Sequence, residues 1–240
     1  MSVRVGEDKA TKPFNIAPTL RQPTLYRSRP RKTSGPSRLA NSPAKASMNI
    51  VKFPHPALRR LSKPLVRVDA ELRRMIAEMF ELMYEHDGVG LAANQVDLPY
   101  RFFVANLQSD PAAKDQELVF INPIITHSTG SAEADEGCLS FPGIWAPVRR
   151  PEKVSLAAYD LSGQEIKLEL DGLLARAVQH EIDHLDGVVF VDRLSPTNKL
   201  AVRDALDALV HEFAADQSRG LIPPDDQITA RLDDLERLRT

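Results

Sequence analysis

Two histidines stand four residues apart in the segment VQHEIDHLDG, and a glutamate directly follows the first of them. In a helix, residues i and i+4 lie on one face, so the imidazoles of His180 and His184 can converge on one metal ion. Glu181 projects about 100° further round the helix and can reach a water at the metal without being a ligand. This HExxH arrangement is typical of metal-dependent hydrolases, in which the glutamate acts as general base.

The HExxH pattern is short and also arises on surface helices that bind no metal, so its surroundings must support it. Residues 173–185 are mostly apolar, which predicts a buried helix that ends at Gly187. Buried polar groups without partners are costly, and a metal would provide a partner for both histidines. The surroundings therefore favour a metal centre.

A catalytic metal site keeps three protein ligands and one open position. Downstream, His211 lies on an amphipathic segment, and we expect it to be a solvated helix side chain. Upstream, Cys138 follows Gly137 in a loop that precedes a predicted strand. A lone cysteine is often only a small buried hydrophobic residue, but a thiolate at a loop edge could approach the helix. Cys138 is therefore the better candidate for the third ligand.

The elements around this helix predict an α+β fold. A 3.6-residue apolar period predicts a helix that begins after Asp69 and ends at Gly88. A second amphipathic helix is predicted over about 198–217, and a weak helix over the last 20 residues. Strands are predicted for YRFFVANL, ELVFINPII and VVFVDRL, and KVSLAAYDLSGQEIKLEL predicts a hairpin. Short turns favour antiparallel sheets packed around a central HExxH helix, with a C-terminal helix.

Composition excludes several classes of protein. The 240 residues carry a net charge of −2, which gives no overall attraction to nucleic acid, and no apolar run approaches the length of a membrane span. The single cysteine, Cys138, excludes an internal disulfide and is compatible with a reducing compartment. We expect no membrane partner and no specific nucleic acid.

The first 47 residues differ from the rest of the chain. They contain ten basic and two acidic residues and six of the 18 prolines, with no apolar period, so we expect a disordered extension. Three interpretations remain open: an organellar transit peptide, a start at Met48, or a basic tail that contacts RNA. The predicted division is an extension over 1–47, a catalytic domain over 48–217 and a polar C-terminal tail over 218–240.

Three segments resemble the motifs of the peptide deformylase family. GVGLAANQ (Gly88–Gln95), EGCLS (Glu136–Ser140) and QHEIDHLDG (Gln179–Gly187) are similar to the family's three motifs in order and spacing, and IVKFPHPALR also fits. The resemblance covers roughly residues 48–195. Trp145 departs from it, because bacterial members often carry an arginine near that point.

The resemblance implies specific roles. The metal ligands would be Cys138, His180 and His184, and the ion would typically be Fe²⁺, which Zn²⁺, Ni²⁺ or Co²⁺ can replace. Glu181 would be the general base, while the Gln95 side chain and the Leu139 backbone N–H would donate to the oxyanion. The substrate-binding backbone would be the run Gly88, Val89 and Gly90. Candidates that support the ligands are Glu136, Gln179, Asp183 and Arg150, although plain surface salt bridges are an equal alternative.

The implied reaction removes the formyl group from N-formylmethionyl nascent peptides and releases formate. Such an enzyme would work in the bacterial cytoplasm, or in a mitochondrion or plastid if residues 1–47 are a transit peptide. The ribosome is a possible partner, through the helix around Leu200–Phe213. A metallopeptidase or amidase of other specificity and a non-catalytic metal-binding module are the alternatives. The native metal, the oligomeric state and the peptide preference beyond formyl-Met stay open.

Overall fold

The computed structural model describes residues 48–240, and the predictions for residues 1–47 lie outside this range. The α-helices are α1 (Ala70–Glu85), α2 (Gly172–Leu185), α3 (Pro196–Ser218) and α4 (Asp225–Arg239). The strands are β1 (Gly90–Ala92), β2 (Phe102–Ala105), β3 (Leu118–Thr129), β4 (Ala132–Cys138), β5 (Phe141–Arg150), β6 (Lys153–Tyr159) and β7 (Glu165–Asp171). Short 3₁₀ turns lie at Pro56–Arg59, Ala93–Val96, Lys114–Gln116 and Phe190–Arg193.

The strands form two antiparallel sheets. The larger has the order β1-β2-β3-β6-β7, and β4 and β5 form a separate two-stranded sheet. The predicted α+β class with antiparallel pairing is thus confirmed. The predicted hairpin corresponds to β6 and β7, which pair from Lys153↔Asp171 to Tyr159↔Glu165.

The large sheet is covered on both faces, which explains why β2 is apolar at every position. Alternate side chains of a strand point to opposite faces. Phe103 packs in a cluster with residues of α2, such as Val178 and Ile182. Phe102 and Val104 instead pack in a cluster with residues of α1. The HExxH helix is therefore buried against the sheet, as its apolar composition predicted.

Two boundary predictions are confirmed and one strand prediction is wrong. Asp69 caps α1 by accepting a hydrogen bond from the Leu72 N–H at 2.9 Å, and Gly187 follows the end of α2 with a φ of +74°. The segment VVFVDRL does not form a strand. It contains a 3₁₀ turn instead, because the Asp192 carboxylate accepts from the Val189 N–H at 2.9 Å and closes the chain locally.

Both helices after the catalytic motif pack on the body of the protein. Val202, Leu209 and Phe213 of α3 are buried, so this helix covers part of the core. The predicted terminal helix is present as α4, and its Ile228 and Leu232 pack beside Ala57. The boundary at residue 217 between domain and tail stays a prediction. No helix of the described residues is both long and apolar enough to cross a membrane.

Candidate metal centre

The three predicted ligands come together between α2 and the small sheet. Cys138 ends β4, whereas His180 and His184 lie one turn apart on α2. One donor atom from each lies within 4.8 Å of the others, and Cys138 Sγ is 3.1 Å from His184 Nε2. The sequence placed Cys138 in a loop before a strand. The strand does follow, but Cys138 itself is the last residue of β4, and only a two-residue turn separates it from β5.

The donor set suits a divalent transition metal. A sulfur and two imidazole nitrogens around a tetrahedral ion lie about 3.5 Å from one another, given metal–sulfur and metal–nitrogen distances of about 2.3 and 2.1 Å. Burial lowers the pKa of His180, but Cys138 and Glu136 outweigh it and raise this pKa to about 10. The surroundings of His180 thus favour a positive charge, as a divalent cation would provide. Burial and the neighbouring His180 hold the pKa of His184 well below its usual range.

Glu136 orients the His180 ring through a contact with its Nδ1. Its Oε2 lies 3.1 Å from His180 Nδ1, which leaves Nε2 free to face the site. Burial would raise the pKa of Glu136, but hydrogen bonds from His180 and Arg150 lower it to about 2. A carboxylate that accepts from the second imidazole nitrogen fixes the tautomer and the ring orientation of a metal ligand.

A buried ionic network continues behind Glu136. The Arg150 guanidinium donates to Glu136 at 2.6 and 2.9 Å and to Asp183 at 2.7 Å, and Arg193 also pairs with Asp183. Arg150 is only 4% exposed. Gln179 is buried as well and donates to the Pro151 carbonyl at 3.0 Å. The alternative of plain surface salt bridges is therefore wrong for the Arg150–Glu136–Asp183 group.

Glu181 lies inside the pocket with one carboxylate oxygen that has no hydrogen-bond partner. This buried atom, Oε2, belongs to a side chain that faces β1 at Gly90. Burial is the main cause that raises the pKa of Glu181 to about 7. A carboxylate whose pKa is near neutrality can both take up and release a proton under physiological conditions.

Gln95 presents its amide nitrogen to the site. Its Oε1 accepts from the Ala92 N–H at 2.8 Å, so its Nε2 points toward Cys138 Sγ at 3.4 Å and Ser140 Oγ at 3.3 Å. The 3₁₀ turn Ala93–Val96 holds this side chain at the end of β1. Leu139, which follows Cys138, lines the same pocket.

The pocket has a volume of about 500 Å³ and contains the proposed substrate-binding backbone. Gly88, Val89 and Gly90 line the pocket together with Leu139 and Trp145. Strand β1 is an edge strand of the large sheet. An edge strand can accept an extended peptide as an additional strand. Trp145 lines this pocket and is 69% exposed.

The sequence profile of polypeptide deformylases matches residues 47–200 of this chain. The chain belongs to the polypeptide deformylase family. The known function of this family is metal-dependent removal of the formyl group from nascent peptides.

Individual deformylases are similar over most of their length. The peptide deformylase of Rhodopirellula baltica is 49% identical over 178 residues, which cover 73% of this chain and 87% of the relative. The Neisseria meningitidis peptide deformylase is 45% identical over 161 residues, covering 67% and 95%. The crystal structure of the Plasmodium falciparum deformylase has a TM-score of 0.68 at 40% identity, covering 70% and 98%. A plant deformylase has a TM-score of 0.70 at 37% identity, covering 75% and 96%.

Three polar residues of this deformylase site were not predicted from the sequence. Ser140 faces the Gln95 amide, the Asn94 side chain donates to the His184 carbonyl, and Arg176 donates to Glu136. Of these, only Arg176 left a usable signal. It lies four residues before His180 and therefore on the same face of the helix. His211 is exposed on α3, as expected.

Proposed function

We propose that this chain hydrolyses the formyl group of N-formylmethionyl peptides at a metal held by Cys138, His180 and His184. The observation that carries this proposal is the convergence of these donor atoms near Glu181, in a pocket that Gly90 of the edge strand β1 also lines. A bound divalent ion would supply Lewis-acid stabilisation and an activated water. We propose Fe²⁺ as the native ion, with Zn²⁺, Ni²⁺ or Co²⁺ able to replace it.

The residues of the chain then have separate roles. Glu181 accepts the proton of the attacking water and passes it to the leaving amine, for which its raised pKa is suitable. The Gln95 amide and the Leu139 backbone N–H donate to the oxyanion that develops on the formyl oxygen. The backbone of Gly88 and Gly90 binds the extended peptide, and Val89 lines the pocket for the methionine side chain.

The natural substrates would be nascent chains, which begin with formylmethionine. We propose a cytoplasmic location in a bacterium, or an organelle if residues 1–47 act as a transit peptide. A contact with the ribosome stays a prediction. Leu200 of α3 is exposed and could take part in such a contact, whereas Val202 and Leu209 are buried in the core.

The test is formate release by the full-length protein loaded with Fe²⁺ without oxygen. A formyl-Met peptide should yield one formate for each free amino terminus, whereas the acetyl-Met peptide of the same sequence should yield no product. The same assay on protein loaded with Zn²⁺, Ni²⁺ or Co²⁺ ranks the metals by the rate of formate release. Cleavage of an internal peptide bond would instead support a metallopeptidase. Bound metal without any hydrolysis would support a binding module.

A further inference from the structure

The metal ligands lie on two elements that share no backbone pairing. Cys138 lies on the β4–β5 sheet, while His180 and His184 lie on α2. In the described residues, β4 pairs only with β5 and is not part of the large sheet. The distance between the sulfur and the imidazoles therefore depends on side chains that connect this hairpin to α2.

Arg176 provides such a connection to both strands. From α2, its guanidinium donates to the Val148 carbonyl of β5 at 3.0 Å and to the Ala132 carbonyl of β4 at 2.9 Å. It also donates to Glu136 Oε1 of β4 at 2.5 Å. Its side chain is only 13% exposed, so these charge-assisted bonds are largely shielded from water.

The same guanidinium also reaches a metal ligand through Glu136. Arg176 binds Oε1 of this carboxylate, while His180 Nδ1 contacts Oε2. Arg150 also holds Glu136, but its remaining hydrogen bond goes to the Asp183 side chain. Arg176 therefore differs from Arg150, because its guanidinium bonds to backbone carbonyls of both hairpin strands and holds them against α2.

We infer that Arg176 is a positioning residue of the metal centre, which sets the distance between Cys138 on the hairpin and the two histidines on α2. This inference rests on the proposed metal site. Loss of the guanidinium would remove the contacts that hold the backbone of both hairpin strands against α2 and would loosen the hold on Glu136. The Arg150–Asp183 and Glu136–His180 contacts would then be the remaining polar links between these strands and the ligand-bearing part of α2. Residues that orient metal ligands typically change metal affinity by about 10- to 100-fold when they are replaced.

The test uses full-length protein loaded with Co²⁺, whose visible absorption reports on thiolate bonding and coordination geometry. A chelator of known affinity competes for the ion and yields the dissociation constant. The variants are Arg176→Met, which removes all donors, and Arg176→Lys, which retains one charged donor group. Arg149→Met is the matched control, because Arg149 lies on the same hairpin and pairs with Glu133 while 72% exposed.

We expect Arg176→Met to bind Co²⁺ about 10- to 100-fold more weakly, with a shifted thiolate-to-cobalt band. Arg176→Lys should lie between it and the wild type, and Arg149→Met should match the wild type. Thermal unfolding of the metal-free proteins identifies any general loss of stability, which alone would not move the absorption band. If Arg176→Met misfolds, the comparison of Arg176→Lys with Arg149→Met decides the question.

Two results would overturn the inference in distinguishable ways. Wild-type affinity and an unchanged spectrum in both Arg176 variants would show that Arg176 does not position the ligands. Failure of the wild type to bind one Co²⁺ with a thiolate band would show that the proposed metal centre itself is absent.

Discussion

The Glu181 carboxylate lies directly against the backbone of Gly90. A Cβ atom built on Gly90 would be 3.0 Å from Glu181 Cδ and only 2.5 Å from Oε1, and the latter distance is shorter than Cβ atoms show in proteins. Gly90 begins β1, an edge strand of the large sheet. The absence of a side chain at this position lets the proposed general base lie next to the strand that would bind the peptide.

Gly90→Ala should therefore displace Glu181 and reduce kcat. A misplacement of about 1 Å at a reacting group can cost about 100-fold in rate. Metal content should not change, because neither residue is a proposed ligand. The measurement is kcat for a formyl-Met peptide, normalised to bound metal.

Gly88→Ala is the matched control for this substitution. A Cβ at Gly88 would meet Leu139 Cδ1 at 2.8 Å, the end of a side chain that can rotate away, and the Met83 carbonyl oxygen at the milder distance of 3.3 Å. We expect a smaller loss of kcat than at Gly90. Equal kcat values for Gly90→Ala and the wild type would show that Glu181 does not depend on this close contact.

Gln95 should matter in the transition state more than in substrate binding. Removal of one oxyanion donor typically lowers kcat by about 10²- to 10³-fold. Gln95→Glu keeps the acceptor for the Ala92 N–H but loses the amide donor, so we expect a fall in kcat of this size with little change in KM. Ser140→Ala is the control, since it removes the hydroxyl beside the amide and leaves the donor in place. A rise in KM alone would assign Gln95 to ground-state binding instead.

The periodic elements of this fold could be predicted from the sequence, but the hairpin that carries Cys138 could not. α1, α2 and the β6–β7 hairpin have clear apolar periods and turn residues, and their predicted bounds agree closely with the structure, except that α1 ends at Glu85 and not at Gly88. β4 consists of small and charged residues and has only one buried position, so it carries no alternating apolar signal. The strand was missed for this reason.

The sequence identified candidates for the metal ligands but not the contacts that hold them in place. His180 and His184 follow from helical spacing, whereas Arg176, Val148 and Ala132 meet only because the hairpin folds over α2. Such contacts join residues that are far apart in the chain, and a single sequence contains no distances. The side-chain partners of the network therefore required the structure.

A second ionic group makes the docking of α4 sensitive to acid. Arg239 is buried and donates to both oxygens of Asp69 at 2.9 Å, beside the N-cap bond from Leu72. The Leu72 N–H and Arg239 hold the pKa of Asp69 well below its usual value of 3.8. A lowered pKa in the folded state stabilises the protein above pH 3.8, and this contribution is lost as the pH falls through the folded-state pKa.

Asp69→Asn should lower Tm at pH 7, because it removes the stabilising carboxylate. The decrease in Tm should be smaller at about pH 3, where the wild type itself begins to lose the stabilisation by ionised Asp69. Melting curves at a series of pH values measure this difference. Asp234→Asn is the control, because Asp234 forms an exposed pair within α4. A Tm difference for Asp69→Asn that is constant from pH 7 to pH 3 would contradict this account.

Deletion of residues 1–47 should leave deformylase activity and stability unchanged. The family match begins at residue 47, and the deleted segment contains no proposed ligand, base or oxyanion donor. Formate release and Tm of the protein that starts at Met48 are compared with those of the full chain. An unfolded or inactive product would assign the extension to the catalytic domain.

The most direct test of the account is formate release per bound metal ion by the wild type and by Glu181→Ala. Both proteins should contain one metal per chain, because the proposed ligands remain in place. The wild type should hydrolyse a formyl-Met peptide. The variant should be slower by about 10²- to 10⁴-fold, which is the usual contribution of a general base. Wild-type turnover by a fully metal-loaded Glu181→Ala variant would contradict the mechanism.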